Sequence, residues 1–241
     1  MTLKKSFLSI LFLTVGLLAS AETKTLKIIK TIDAIEASAG VYVIYKPTTG
    51  GNTNVSISGD AKRIDLIDVK VSGKTLEIHP KHNWSNRKQN ISGVTVTVTA
   101  PIVRDVEVSS GATIKCTNAI SSAQKKISLE ASSAGKISFS SLTASELDIE
   151  ASSGASISTT NLTATRIDME ASSGSQIKAA SVKAERLDCE ASSAGSININ
   201  SGNVNRGDFE ASSAGSIKAP GLKVNHSSIN KSSAGSVKIA N

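Results

Sequence analysis

Nine carboxylates stand at fixed spacing in the second half of this chain. Asp148, Asp168, Asp188 and Asp208 recur every 20 residues, and two positions on Glu130, Glu150, Glu170, Glu190 and Glu210 do the same. If the chain stacks with that period, each carboxylate lies ~4.8 Å from the next. Like charges that close repel by about 1 kcal/mol even at the dielectric of water, so something must compensate. One answer is a hard cation, which takes several oxygens at short range. The candidate ligands are then Asp148, Glu150, Asp168, Glu170, Asp188 and Glu190, with Ca2+ as the ion. The other answer is an ion-pair ladder. Two residues before the Asp column run Lys126, Glu146, Arg166, Arg186, Arg206 and His226. Those bases favour the ladder for the aspartates, while the Glu column has no basic column of its own. The stretch also lacks the glycine-rich nonapeptide that wraps calcium in other β-rolls.

Catalytic chemistry finds little support. A glycosidase needs two carboxylates in different environments, and here they repeat identically. His79, His82 and His226 are isolated in sequence. The many serines sit in repeats and lack a nucleophile-elbow context. Aromatic platforms for sugars are scarce, since Phe139 and Phe209 fall at inward positions. No catalytic residue and no cofactor is expected. The best single contact point is Trp84, which shares a polar loop with Arg87 and Lys88 and could anchor a partner. The alternative is that Trp84 folds back as a cap.

The elements that must position these residues come from the repeat itself. The phrase Glu130-Ala-Ser-Ser-Ala-Gly returns at Glu150, Glu170, Glu190, Glu210 and Asn230, with a looser copy (EVSSGATI) at Glu107. Within one copy Leu147, Ile149 and Ala151 alternate with Asp148, Glu150 and Ser152. Period two means short strands with one buried and one wet face. A unit this short cannot bury its own inner face, so successive copies must stack. The inner columns agree: Ile137, Ile157, Ile177, Ile197, Ile217 and Val237 share one position. Small residues at the corner imply close backbone approach or positive φ, and the Ser132, Ser152 and Ser172 series suggests a hydroxyl ladder. The period does not fit hexapeptide coils. Parallel crossovers are overwhelmingly right-handed. The expected fold is all-β, a right-handed single-stranded parallel β-helix of six or seven coils.

Taken in order, residues 1–21 read as a secretory signal: Lys4 and Lys5, an apolar run from Phe7 to Leu18, and the small-x-small site Ala19-Ser20-Ala21. Glu22 follows, so a lipid-anchored lipoprotein is not expected. No second apolar run of membrane length follows, so the chain is not expected to span a membrane. Without the signal the chain carries 25 basic and 20 acidic residues, a mild excess that calls for no nucleic acid. Cys116 and Cys189 fall inward, on different sides and several rungs apart, so a disulfide is not expected. Residues 22–105 form an irregular β region that starts and covers the solenoid. Strands are expected at 41–45, 55–57, 64–71 and 94–100, with a hairpin around Ser72-Gly73. Residues 106–241 form the repeat.

The run VTVTVTAPIVRDVEVSSGATI (94–114), the upstream VKVSGKTLEI (69–78) and the recurring Ser-Ser-Gly/Ala-Ser-Ile resemble the GIN-domain family. That family is described as the head domain of autotransporter adhesins and is common in Bacteroidetes. The resemblance implies an exported β-helical protein without established catalytic residues.

The expected function is an exported, non-enzymatic, adhesin-like protein that presents a repetitive surface to a glycan, protein or envelope partner. Its place would be the periplasm, the outer membrane or the cell surface. The alternatives are a carbohydrate-active lyase or hydrolase, which the β-helix permits by analogy, and a passive scaffold. The open last rung offers a homodimer contact.

Overall fold

Alternation in sequence becomes strand in the structure. The computed structural model describes residues 22–81 and 90–240. Its elements are β1 (Glu22–Ile28), β2 (Ala34–Ala37), β3 (Tyr42–Thr48), β4 (Thr53–Gly59), a single helical turn α1 (Ala61–Ile64), β5 (Ile67–Ser72), β6 (Thr75–Pro80), β7 (Thr95–Pro101), β8 (Asp105–Val108) and β9 (Thr113–Cys116). They continue with β10 (Ile120–Ala131), β11 (Lys136–Ala151), β12 (Ser156–Ala171), β13 (Gln176–Ala191), β14 (Ser196–Ala211), β15 (Ser216–Ala219), β16 (Leu222–Lys231) and β17 (Ser236–Ile239). All 17 strands belong to one hydrogen-bonded sheet.

From Asp105 to Ile239 the sheet is a β-solenoid of about seven turns. Ile157 pairs with Ile177 and Ile177 with Ile197, in parallel and without slip. Each long strand keeps its period-two burial except at paired outward residues, such as Thr160–Asn161 and Thr165–Arg166 in β12. There the alternation skips one step and the coil turns. The inner columns are solid. Leu129, Ile149, Met169, Cys189 and Phe209 stack in register, all at most 3% exposed. Close packing of that kind fills the coil with side chains and leaves function to the outside.

The sharp corner is a type I′ turn. Ser133 and Ala134 both have positive φ (47° and 62°), and the Gly135 N–H bonds to the Ser132 carbonyl at 2.8 Å. The turn recurs at Ser152, Ser172, Ser192, Ser212 and Ser232. The expected hydroxyl ladder is not what joins the corners. Backbone does so: the Ala134 N–H donates to the Ser153 carbonyl and the Gly154 N–H to the Ser173 carbonyl, each at 3.0 Å.

The first half is more regular than its sequence suggests. β2 pairs in parallel with β8, and β3 with β9, so residues 34–48 form a rung beneath the 105–116 rung. β6 and β7 pair in parallel with β2 and β3 on the other side, as a further rung. The order in space is therefore 75–101, then 34–48, then 105–116. Antiparallel strands close that end: β5 on β6, β4 on β7 and β1 on β4. The hairpin at Ser72-Gly73 is present, with Ser72 opposite Thr75. The strand expected from Ile64 starts later, at Ile67. Asp60 caps α1 by accepting the Lys62 N–H at 3.0 Å, and Ala61, Lys62 and Arg63 are good helix formers.

Candidate functional site

Register turns the acidic stripe into two straight columns with different electrostatics. In the Asp column, Arg166 bridges Asp168 on its own rung at 2.8 Å and Asp188 on the next at 2.9 Å. Arg186 repeats the pattern with Asp188 at 2.9 Å and Asp208 at 2.8 Å. Lys126 reaches Glu146 at 3.0 Å and Asp148 at 3.1 Å. Each arginine serves two acids because parallel in-register strands place it beside its own rung and the next, whereas both acids of Lys126 stand on the next rung, where Ser128 pairs with Asp148. Asp188 Oδ1 is buried with no hydrogen-bond partner.

The Glu column is longer than the repeat alone indicates. Glu77 pairs with Glu36, Glu36 with Glu107, Glu107 with Glu130, and the file continues through Glu150, Glu170 and Glu190 to Glu210. That is eight carboxylates in line, ended by Asn230. Lys70 pairs with Glu77 at 3.0 Å and holds that carboxyl below its usual range. Among the described residues no base meets the middle of the column at ion-pair distance. Partial burial, together with neighbouring carboxylates, pushes the Glu107, Glu150 and Glu170 carboxyls up. A small cleft of about 80 Å³ runs along Glu130, Glu150, Glu170 and Glu190 beside Ser152 and Ser172. A wider groove of about 570 Å³ runs between the Glu and Asp columns.

The structure thus brings Asp148, Glu150, Asp168, Glu170, Asp188 and Glu190 onto one face. Among the described residues, no three His, Cys, Asp or Glu side chains are grouped so as to hold one metal ion. Trp84, Arg87 and Lys88 lie outside the described residues, in the connection from β6 to β7. Cys116 and Cys189 are free and buried on different inner columns, and burial raises both thiols, Cys116 to about 11. His79 faces Pro80, with 2.9 Å between Nδ1 and the carbonyl oxygen, and His226 is exposed beside Arg206.

Two groups of residues escape a reading by period alone. Glu36 and Glu77 lie outside the 20-residue repeat, yet Glu36-Ala37-Ser38-Ala39-Gly40 is a near copy of its corner phrase and could have flagged the first. The second group lines a groove of about 620 Å³ at the bend after the β12 and β13 midpoints, where Lys183, Asn203 and Lys223 stand in one row. Their types vary from rung to rung, so no column of identical residues announces them.

The fold is a filled β-solenoid with repetitive charged outer columns. The chain belongs to the family described as "Putative auto-transporter adhesin, head GIN domain", which it matches over residues 32–201 and again over 149–241. Among solved structures it is similar to a putative adhesin from Parabacteroides distasonis, at 14% identity and a TM-score of 0.64, covering 90% of this chain and 96% of that one. It is also similar to a putative adhesin from Bacteroides fragilis, at 19% identity and a TM-score of 0.56, covering 88% and 97%. A third, described as a putative lipid binding protein from Parabacteroides distasonis, matches at 14% identity with a TM-score of 0.58, covering 88% and 97%. These likenesses concern the fold. Among curated proteins nothing matches the chain.

Proposed function

We propose that this protein is an exported, non-enzymatic binding protein of adhesin type, whose solenoid presents straight rows of side chains to a glycan, protein or envelope partner. The observation that carries this reading is the unbroken parallel register from β11 to β14. It repeats each outward side chain at the strand spacing of ~4.8 Å, which suits a partner met along its length. Family membership supports export, and no helix among the described residues is long and apolar enough to cross a membrane. The ion pairs support a non-catalytic role, since Asp168 and Asp188 share Arg166 in matching geometry rather than forming a pair with divided acid and base duties.

Protease shaving of intact cells tests the reading. Loss of the chain from shaved cells is expected, and complete protection would remove the surface adhesin. Turnover of a uronic polysaccharide that disappears in Asp168→Asn and Glu170→Gln would replace it with an enzyme.

A further inference from the structure

The groove at the second bend of the coil is outside the acidic face and takes no part in the ion-pair ladder. Its walls are two rows running along the solenoid axis. One row is Lys183, Asn203 and Lys223; the other is Glu185, Asn205 and Asn225. The register places Lys183 beside Asn203 and Asn203 beside Lys223, so the two ammonium groups stand two rungs apart, ~9.6 Å at the strand spacing. The second row is ordered by its own bonds. Asn225 Nδ2 donates to Asn205 Oδ1 at 3.2 Å, and Asn205 Nδ2 donates to Glu185 Oε2 at 3.4 Å. Between the rows lie Ala164, half-buried, and Ala184 and Val204, which are buried. Among the described residues no ion pair involves Lys183, Lys223 or the neighbouring Arg206. Arg206 lacks the next-rung acid that Arg166 and Arg186 use, because Ser228 stands where an aspartate would.

We propose that this groove binds an anionic polysaccharide laid parallel to the solenoid axis. Lys183 and Lys223 each meet one acidic group of the polymer, and Asn203, Asn205 and Asn225 meet its hydroxyls. Three features select this ligand class. Two rung spacings match the length of a disaccharide, so a polymer with an acid on every sugar, or on every second one, keeps step with the two lysines. Exposed amides along both rows suit the hydroxyl edges of a sugar. The exposed ammonium groups, outside any ion pair among the described residues, attract an anion against the single carboxylate of Glu185. The inference rests on the binding reading above and names the ligand class for one face.

Titration calorimetry of the exported chain in low salt tests it, with polygalacturonate and its fully methyl-esterified form as probes. The acidic polymer binds and the ester does not. The Lys183→Gln/Lys223→Gln double variant loses about tenfold or more in affinity, while Lys178→Gln/Lys218→Gln on the adjacent side stays within about twofold. These lysines are exposed, so both variants fold. Absence of binding to polygalacturonate and to dextran sulfate overturns the proposal, as does equal loss from both double variants, which would signal net charge alone. A concentration-dependent dimer that the Lys183/Lys223 variant abolishes would reassign the groove to a second copy. Retention of wild type and variant on intact cells to the same degree would sink the groove and leave the binding reading standing. Wild type retained by neither polymers nor cells would sink both.

Discussion

The Tyr45 hydroxyl donates to the Pro101 carbonyl at 2.7 Å, although 56 residues separate them in sequence. The same oxygen accepts the Val103 N–H at 3.1 Å. Tyr45 lies on the 34–48 rung, and residues 101–105 are where the chain passes over that rung from the one below to the one above. A fully buried phenol therefore fastens the point at which the chain passes over a rung. The Asp33 carboxylate helps at the start of the same rung, pairing with Lys74 below at 2.9 Å and Arg104 above at 3.3 Å.

Tyr45→Phe keeps the ring against Phe139 and removes both bonds of the hydroxyl. The Pro101 carbonyl and the buried Val103 N–H then lose their partner. We expect a loss of about 2 kcal/mol, read as a lower urea midpoint with unchanged m-value. A variant as stable as wild type would show that the crossover does not depend on this bond.

The corner turns carry a second expectation. Where the third turn residue is Ala, as at Ala194, the fourth is Gly195; where it is Gly154 or Gly174, the fourth is Ala155 or Ser175. A Cβ on Gly195 would come within 2.1 Å of the Ala171 carbonyl oxygen. Gly195→Ala should therefore cost about 2 kcal/mol by overpacking. Ala194→Gly relieves a left-handed alanine but gains unfolded-state entropy, and should be near neutral. The double variant converts this corner to the Gly-Ala form of its neighbours and should recover most of the loss. Thermal melts of the three variants decide it; an additive double variant would refute the exchange.

What the sequence made legible follows from how the solenoid is built. Identical residues in one column, such as Ile157 over Ile177, produce a visible period because each rung is one uninterrupted coil of the chain. The positive-φ corner was legible for the same reason. The rungs at 34–48 and 75–101 were not, because they are stacked out of order, so Glu36 and Glu77 sit 71 and 30 residues from their column mate Glu107 and in inverted sequence order. The ladder was legible as a pairing of types, Arg near Asp. That one guanidinium serves two rungs is fixed by side-chain geometry, which spacing does not encode. The Lys183 groove stayed hidden because a binding row need not repeat one residue.

The Glu column sets a pH dependence. Glu107, Glu150 and Glu170 are pushed above the ordinary value of 4.5, so the folded chain holds their protons more tightly than the unfolded chain does. Their stabilising contribution is full below the unfolded value and is lost as pH rises through the raised folded values. Asp33 and Glu77 are shifted the other way, and their contribution is lost as pH falls through the lowered values. Melting temperature should thus rise as pH drops from neutral through the raised values and fall again as pH drops through the lowered ones. Glu150→Gln/Glu170→Gln should raise stability at pH 7 by about 1 kcal/mol in low salt, less at high salt, and flatten the upper limb. A melting temperature that climbs steadily from pH 5 to 7 in wild type would contradict the repulsive column.

One rung fills its core differently from the rest. Leu147, Ile167 and Leu187 share a column whose next member is Gly207, while Ile149, Met169 and Cys189 lead to Phe209 two residues on. A Cβ on Gly207 would stand 2.7 Å from the Phe209 ring, so the ring occupies the space that the missing side chain leaves. Volume is conserved across the pair rather than within either column. Phe209→Met alone leaves a void at Gly207, and Gly207→Ile alone strikes the ring. Each should cost about 2 kcal/mol or more. Together they reproduce the Ile167 and Met169 pairing of the rung two below, and the double variant should regain most of that loss. Coupling of this size between neighbours is what a double-mutant cycle in urea resolves. A coupling near zero would mean that the two columns pack independently and that Gly207 is small for another reason.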